Sequence, residues 1–308
     1  MKRFSKITTT QLARICGVSQ GTVDRALHNR GGINQETKKR ILDVAKEYDY
    51  IPTAKESVPS HSMLIGVVLF DLYNQYFSRL AMDLVKTARE FNYSILFQFS
   101  EKNPENEKSA IEYFDYIGVD GIILFSVGSD SEDYLNYLRS IKKPLILIGN
   151  RMEGLRYVGI DDSQAMFDLT MRFTQQSFQG DLVYYAPILK EKLHSLNAQK
   201  LRLEGFIKAA KAMDKSYRVA LSSDELQNVG ALIASTDHHL IKALNCLAYP
   251  HNIPLAGFDN SDLLKMLPVP ILTVECHTEN IAKECMNYLL GRDYKATVSH
   301  DTVYSNNN

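Results

Sequence analysis

The chain has no tryptophan and only four cysteines in 308 residues, Cys16, Cys246, Cys276 and Cys285, with no C-x-x-C pair among them. That excludes a disulfide-stapled secreted scaffold and a paired-cysteine zinc or redox site, and reduced structural thiols are expected. No apolar run approaches the roughly 18 residues of a membrane span, and the basic opening MKRFSKITTT lacks the apolar core of a signal peptide. A cytoplasmic location is expected. Catalytic signatures are missing too: there is no G-x-S-x-G elbow, no phosphate loop ending in G-K-[ST], no H-E-x-x-H and no G-x-G-x-x-G. No catalytic residue, cofactor or metal site is therefore expected. His238 and His239 are the one tempting metal pair, but neighbours on a helix point about 100° apart and do not readily share an ion. The acids Asp161 and Asp162 suit a turn cap or a ligand acceptor better than general acid/base work.

Net charge is also almost absent, at −1, yet it is unevenly spread. Residues 1–55 carry 11 Lys/Arg against 5 Asp/Glu, so the remainder carries 24 against 31. A basic head on an acidic body fits a nucleic-acid contact confined to one end.

Within that head, residues 8–30 read TTTQLARICGVSQGTVDRALHNR. Two short helical patterns meet at Gly17-Val18-Ser19, a turn followed by an N-capped second helix. Leu12, Ala13, Cys16, Val18, Val23, Ala26 and Leu27 supply the apolar positions that pack the two helices together. Gln20, Gly21, Thr22, Arg25 and His28 are left facing outward. Short polar and basic residues at the start of a second helix suit entry into a major groove, and the stretch reads as a helix-turn-helix. Residues 33–50 add a third amphipathic helix, with Asn34 as N-cap, and its Lys38-Lys39-Arg40 run could lie along phosphates. PTAKESVPSHS (52–62) has no periodicity and reads as a linker.

From residue 63 the fold class changes to α/β. LIGVVLF (64–70), SILFQF (94–99), GIILF (121–125) and PLILIG (144–149) are β-rich and alternate with helical stretches near 76–92, 104–117 and 131–141. After YVGI (157–160) the order repeats: helix 163–178, strand 182–186, helix 197–213, strand 231–235, helix 238–248, strands 254–258 and 271–275, helix 278–290. Alternation of this kind means parallel sheets covered on both faces, and two similar halves suggest two lobes with a cleft between. The tail SNNN is expected to fray.

The order T-x-x-x-L-A-x-x-x-G-V-S-x-x-T-V-x-R-x-L, then E-T-K-K-R-I-L-x-x-A and Y-x-P, resembles the headpiece of the LacI/GalR family of bacterial transcription regulators over residues 7–52. N-Q-Y-F (74–77), V-D-G-I-I (119–123), P-L-I-L-I (144–148), G-I-D-D (159–162), R-L-E-G-F (202–206), S-T-D (235–237) and A-G-F-D-N (256–260) resemble the same family's effector domain, whose fold is similar to periplasmic sugar-binding proteins. The resemblance implies three parts: a headpiece over 1–51, a linker over 52–62, and a two-lobed effector-binding and dimerisation domain over 63–308. It implies a homodimeric regulator, most often a repressor, on a double-stranded DNA operator, controlled by a small polar effector such as a sugar. A cytosolic binding protein with impaired operator binding is the alternative.

By the same resemblance Ser19, Gln20, Gly21, Thr22 and Arg25 face the DNA, with Thr8, Thr10, His28, Asn29 and Arg30 completing the set. Asn74, Tyr76, Phe77, Asp162, Arg202, Asp237 and Asp259 are implied for the effector. All seven fall at strand ends or helix starts, where open α/β sheets bind ligands. A guanidinium facing carboxylates suits vicinal hydroxyls, and an aromatic suits an apolar ring face. Four departures are visible. Asp24 replaces the family's serine before Arg25, Cys276 stands where a pocket glutamine is frequent, the stretch between Phe206 and Ala231 is shorter than the family's by about a helix, and the linker carries Glu56 and Pro59 in place of Ala-Arg-x-Leu. Proline removes a helix donor and glutamate repels phosphate, so coupling through headpiece spacing is expected in place of an inserted hinge helix.

Overall fold

The computed structural model describes residues 7–27, 31–48, 50, 61–127, 131–190, 197–247 and 253–305. The chain divides into two compact units, Met1–Ser62 and Met63–Asn308.

The first unit holds three helices, α1 (Thr9–Ile15), α2 (Gln20–Leu27) and α3 (Gln35–Glu47). Leu12, Ala13, Cys16, Val23 and Ala26 meet Ile41 and Ala45 of α3 in one small buried core. Each helix start is fixed by a side chain: Thr8 caps α1 in a reciprocal capping box with Gln11, Ser19 Oγ accepts from Thr22 N at 3.2 Å, and Asn34 Oδ1 accepts from Glu36 N at 2.8 Å. Such caps serve amides that the helix itself leaves without a partner. Arg40 Nη2 donates to the carbonyl of Cys16 at 3.1 Å and so closes the end of α1. His28, Asn29, Arg30, residue 51 and residues 52–60 of the linker lie outside the described residues.

In the second unit, β1 (Leu64–Leu69), α4 (Gln75–Glu90), β2 (Ser94–Phe99), α5 (Pro104–Ile117), β3 (Gly121–Leu124), α6 (Glu132–Ser140), β4 (Leu145–Ile148) and β5 (Tyr157–Val158) build a first lobe. A second follows from α7 (Asp162–Phe173), β6 (Asp181–Tyr185), α8 (Asn197–Ala212), β7 (Tyr217–Ala220), β8 (Val229–Ala234), α9 (Asp237–Leu244), β9 (Leu255–Ala256), β10 (Leu272–Glu275), α10 (Thr278–Leu289) and β11 (Asp301–Tyr304). The first sheet has the order β2-β1-β3-β4-β5, all parallel; the second repeats it as β7-β6-β8-β9-β10 and adds β11 antiparallel to β10. Strands alternate faces: Ile123, Ile146 and Ile148 enter one core while Ile122, Leu124, Leu145 and Leu147 enter another. Helices on both sides bury both sets, which is why these strands read as continuous apolar runs.

The sequence reading misses β7 and β11, both edge strands whose residues are mostly half-exposed and whose apolar signal is correspondingly weak. It also misplaces Ser305, which is buried and pairs with Ile271 through both its backbone and its hydroxyl.

Although α10 follows the second sheet in the chain, it packs against α4 and strands β3, β4 and β5 of the first. The chain therefore crosses between lobes after β5, again at Cys276 and His277 after β10, and a third time before β11. The first and third crossings are bonded together: Gly159 N donates to Ala296 O at 3.1 Å and Val298 N to Gly159 O at 2.9 Å.

Candidate functional site

On the headpiece, the start of α2 presents Ser19, Gln20, Gly21 and Arg25 to solvent, with Thr22 half-buried. Gln20 Nε2 donates to Thr10 Oγ1, which joins the exposed starts of α1 and α2 into one polar surface. Thr8 also lies there, with its hydroxyl committed to capping α1. Nothing stands over Gly21, where an added Cβ would meet only Ser19 Oγ at 3.8 Å. A backbone or base edge can therefore approach α2 closely at that point.

On the body, both sheets carry a point where consecutive connections leave in opposite directions, between β1 and β3 and between β6 and β8. Loops at such points leave a crevice beyond the strand ends. The crevice is a cavity of about 610 Å³, within the range of small-molecule sites. Its first-lobe wall is aromatic. Phe70, Phe77 and Phe125 pack edge to face with centroids 4.5–5.6 Å apart, and Tyr76 joins Phe77 at 5.4 Å. Gly149, at φ +74°, makes this possible, since a Cβ there would fall inside the Phe125 ring.

The polar centre is Arg202, projected from α8 and 8% exposed. Its Nε donates to Asp162 Oδ1 at 2.7 Å and its Nη1 to Ser235 O at 2.9 Å, with Asp259 Oδ1 at 3.6 Å. The guanidinium lies 3.6 Å from the centre of the Phe258 ring. Its Nη2 makes no hydrogen bond among the described residues. Burial would push the guanidinium toward the neutral form, but Asp162 and Asp259 raise it and keep it charged. Burial lifts Asp162 against the pull of Arg202. Asp259 rises to about 6, again through burial, opposed by Arg202 and by Asn74, whose Nδ2 lies 3.4 Å from its Oδ2. Gln199 lines the same space, and its Oε1 is buried and without a hydrogen-bond partner among the described residues. An arrangement of fixed donors and acceptors beside ring-shaped apolar surface can hold a polyhydroxylated molecule by both its edges and its faces.

Six of the seven residues expected from sequence therefore meet in one cavity: Asn74, Tyr76, Phe77, Asp162, Arg202 and Asp259. Asp237 does not line it. Its carboxylate accepts from Ser261 N at 2.6 Å and from the Thr273 hydroxyl at 2.9 Å, and so fastens the loop that carries Asp259. Cys276 does line the cavity, buried at the second crossing. Sequence reasoning missed Lys102, Phe125, Asn150, Tyr157, Gln199 and Lys242 as lining residues and read His238 and His239 only for metal. Position after a strand end was the available signal for Lys102, Phe125 and Asn150. Rings of His238 and His239 stand 6.1 Å apart and tilted by 59°. Among the described residues no cluster of three or more His, Cys, Asp or Glu could hold a metal, and no helix is long and apolar enough to cross a membrane.

A second network ties the lobes beside the cavity. Arg79 of α4 donates to the carbonyls of Asp259 and Asn260 at 3.2 and 2.8 Å, and to both oxygens of Glu275 at 3.1 Å. Gln75 Oε1 accepts from Ser261 Oγ at 2.6 Å. The guanidinium is held charged by Glu275 against the cost of burial.

Residues 9–53 match the family of bacterial regulatory proteins, lacI family, and residues 62–240 match that of periplasmic binding proteins and sugar binding domain of LacI family. The HTH-type transcriptional regulator RegA of Clostridium acetobutylicum is 24% identical over 91% of this chain and 90% of its own length. The fold is similar to the crystal structure of the lac repressor dimer bound to operator and an anti-inducer, with a TM-score of 0.68, 17% identity and coverage of 98% and 99% of the two chains. It is similar as well to the transcriptional regulator CelR-cellobiose complex, with a TM-score of 0.64, 17% identity and coverage of 98% and 100%. These relatives are transcription regulators. With the second family match alone spanning more than half of its length, and a helix-turn-helix preceding a two-lobed body, the chain belongs to the LacI family of bacterial regulatory proteins.

Proposed function

We propose that the protein is a homodimeric, cytoplasmic repressor, that α2 enters the major groove of a double-stranded operator, and that a sugar or sugar derivative in the Arg202 cavity changes operator affinity. No reaction is catalysed in this reading. The observation that carries it is the buried Arg202, flanked by Asp162 beside the first lobe crossing and by Asp259 in the loop after β9, and faced by an aromatic wall. A cavity so placed links ligand binding to the angle between lobes, and only a ligand that favours one angle can shift an equilibrium between DNA-competent and incompetent forms. Cellobiose in a protein of similar fold supports the ligand class. The lac repressor dimer on its operator supports the assembly, in which two symmetric headpieces read half-sites about one helical turn or a multiple apart. Thr8, Thr10, Ser19, Gln20, Gly21, Thr22 and Arg25 form the proposed DNA face.

Footprinting of the full chain on the DNA upstream of its own gene tests the proposal. Two protected half-sites, released or tightened by a sugar, are expected. Protection of a single half-site by a monomer in sedimentation would overturn the dimeric reading, and no protection would overturn the regulator itself.

A further inference from the structure

The two ends of the cavity differ in charge. Its inner end holds Arg202 against two carboxylates, Asp162 and Asp259. Its rim is built differently: Lys102, in the loop after β2, comes from the first lobe, and His238 and Lys242, one turn apart on the same face of α9, come from the second. Asp71 is the acid at this end, with one oxygen occupied by Tyr73 N at 2.9 Å. Lys102 and Lys242 lie close enough to act on His238 and on His239, the latter anchored by a 2.9 Å bond between its Nδ1 and Ser235 Oγ. Burial and these lysines lower both imidazoles, His239 to about 3, and Asp71 only partly opposes this at His238.

A neutral sugar has hydroxyls for the inner end but no charge to match the cations of the rim. We infer that the effector is a sugar bearing one anionic group, with its hydroxyls at Arg202, Asp162 and Asp259 and its anion between Lys102 of one lobe and His238 and Lys242 of the other. An anion there is bonded from both lobes at once, so it closes the cavity as it binds. It also supplies the counter-charge that lets His238 take up a proton. A phosphate ester and a carboxylate share this chemistry.

The inference rests on the cavity being the effector site proposed above. Isothermal titration of the full chain with glucose, fructose and ribose, with glucose 6-phosphate, fructose 6-phosphate and ribose 5-phosphate, and with gluconate and galacturonate tests it. An anion-bearing sugar is expected to bind about tenfold or more tighter than its neutral parent. Tighter phosphates identify an ester, tighter acids a carboxylate. Lys242→Gln is expected to collapse that ratio, and Lys242→Arg to retain most of it. Lys242 is exposed, so loss of fold does not confuse the result. Binding in two buffers of different ionisation enthalpy is expected to show proton uptake that His238→Gln removes. A neutral parent that binds as tightly as its anionic form overturns the inference, as does a ratio that survives the Lys102→Gln and Lys242→Gln double change. So does a panel in which no anion, inorganic phosphate included, binds or raises the melting temperature. An operator response to a neutral sugar would defeat this inference and leave the regulator standing, whereas anionic-sugar binding with no operator response would do the reverse.

Discussion

Replacing Arg202 by methionine keeps most of the side-chain volume and removes the charge, and the structure fixes what that costs. Side-chain exposures of 10% for Arg202, 5% for Asp162 and 3% for Asp259 put the cluster in the buried class, not among surface pairs worth up to about 1 kcal/mol. Removing one partner of a buried pair costs about 3–5 kcal/mol, because the remaining charge has no compensation. Here two carboxylates are stranded, and both can escape by taking up protons. The loss is therefore expected to be full at pH 8 and much smaller at pH 5, below the value near 6 to which Asp259 is already raised. Urea unfolding of the wild type and Arg202→Met at both pH values measures the difference, and Asp162→Asn added to Arg202→Met is expected to recover about half of it at pH 8. Equal losses at the two pH values, or a loss under about 1 kcal/mol, would refute the buried-cluster account. A change at Arg202 thus lowers the stability of the body as well as any ligand response.

Gly205→Ala on α8 drives a methyl into the backbone carbonyl of Ser163 on α7, so the two helices must part; a loss of about 3 kcal/mol or more in thermal unfolding is expected, comparable to overpacking. Gly21→Ala meets no obstacle and is expected to stabilise the headpiece by up to about 1 kcal/mol while weakening operator binding in gel shifts; unchanged operator affinity would place α2 away from the groove. Arg25→Ala is expected to cost about 1–3 kcal/mol and to relax preference at one base pair, as read by competition with operator variants. Asp259, raised to about 6, holds a proton in the folded state between pH 4 and 6 that the unfolded chain has released. Folding stability therefore falls as pH rises through that window, and Asp259→Asn is expected to reduce the slope.

Most elements were legible because burial on both faces leaves an unmistakable mark: LIGVVL and LILI have no polar residue that a surface strand would need, and SILFQF, though an edge strand exposed at both ends, still carries four apolar residues in six. Tyr217–Ala220 escaped notice because an edge strand of four residues with an arginine in it has no such mark. At the site, the acids and aromatics at strand ends could be picked out, but periodicity says nothing about which loops converge. Asp237 and Asp259 looked equivalent in sequence. Their difference is set by Gly257, Ser261 and Thr273, which surround the first and leave the second facing the cavity. Lys102 and Lys242 are 140 positions apart and enter one site only after both sheets have formed.

The exchange of α10 across the lobes imposes an order on synthesis. The first sheet is complete at Val158, yet the helix that covers the face beside α4 ends at Leu289. At roughly 5–20 residues per second, about 130 further residues take on the order of 10 s to emerge from the ribosome. For that interval α4 and strands β3, β4 and β5 lack the helix that packs against them in the finished fold. The first lobe is thus a nascent chain in need of shelter until the second is nearly made, and the two lobes reach their native state together, not in sequence.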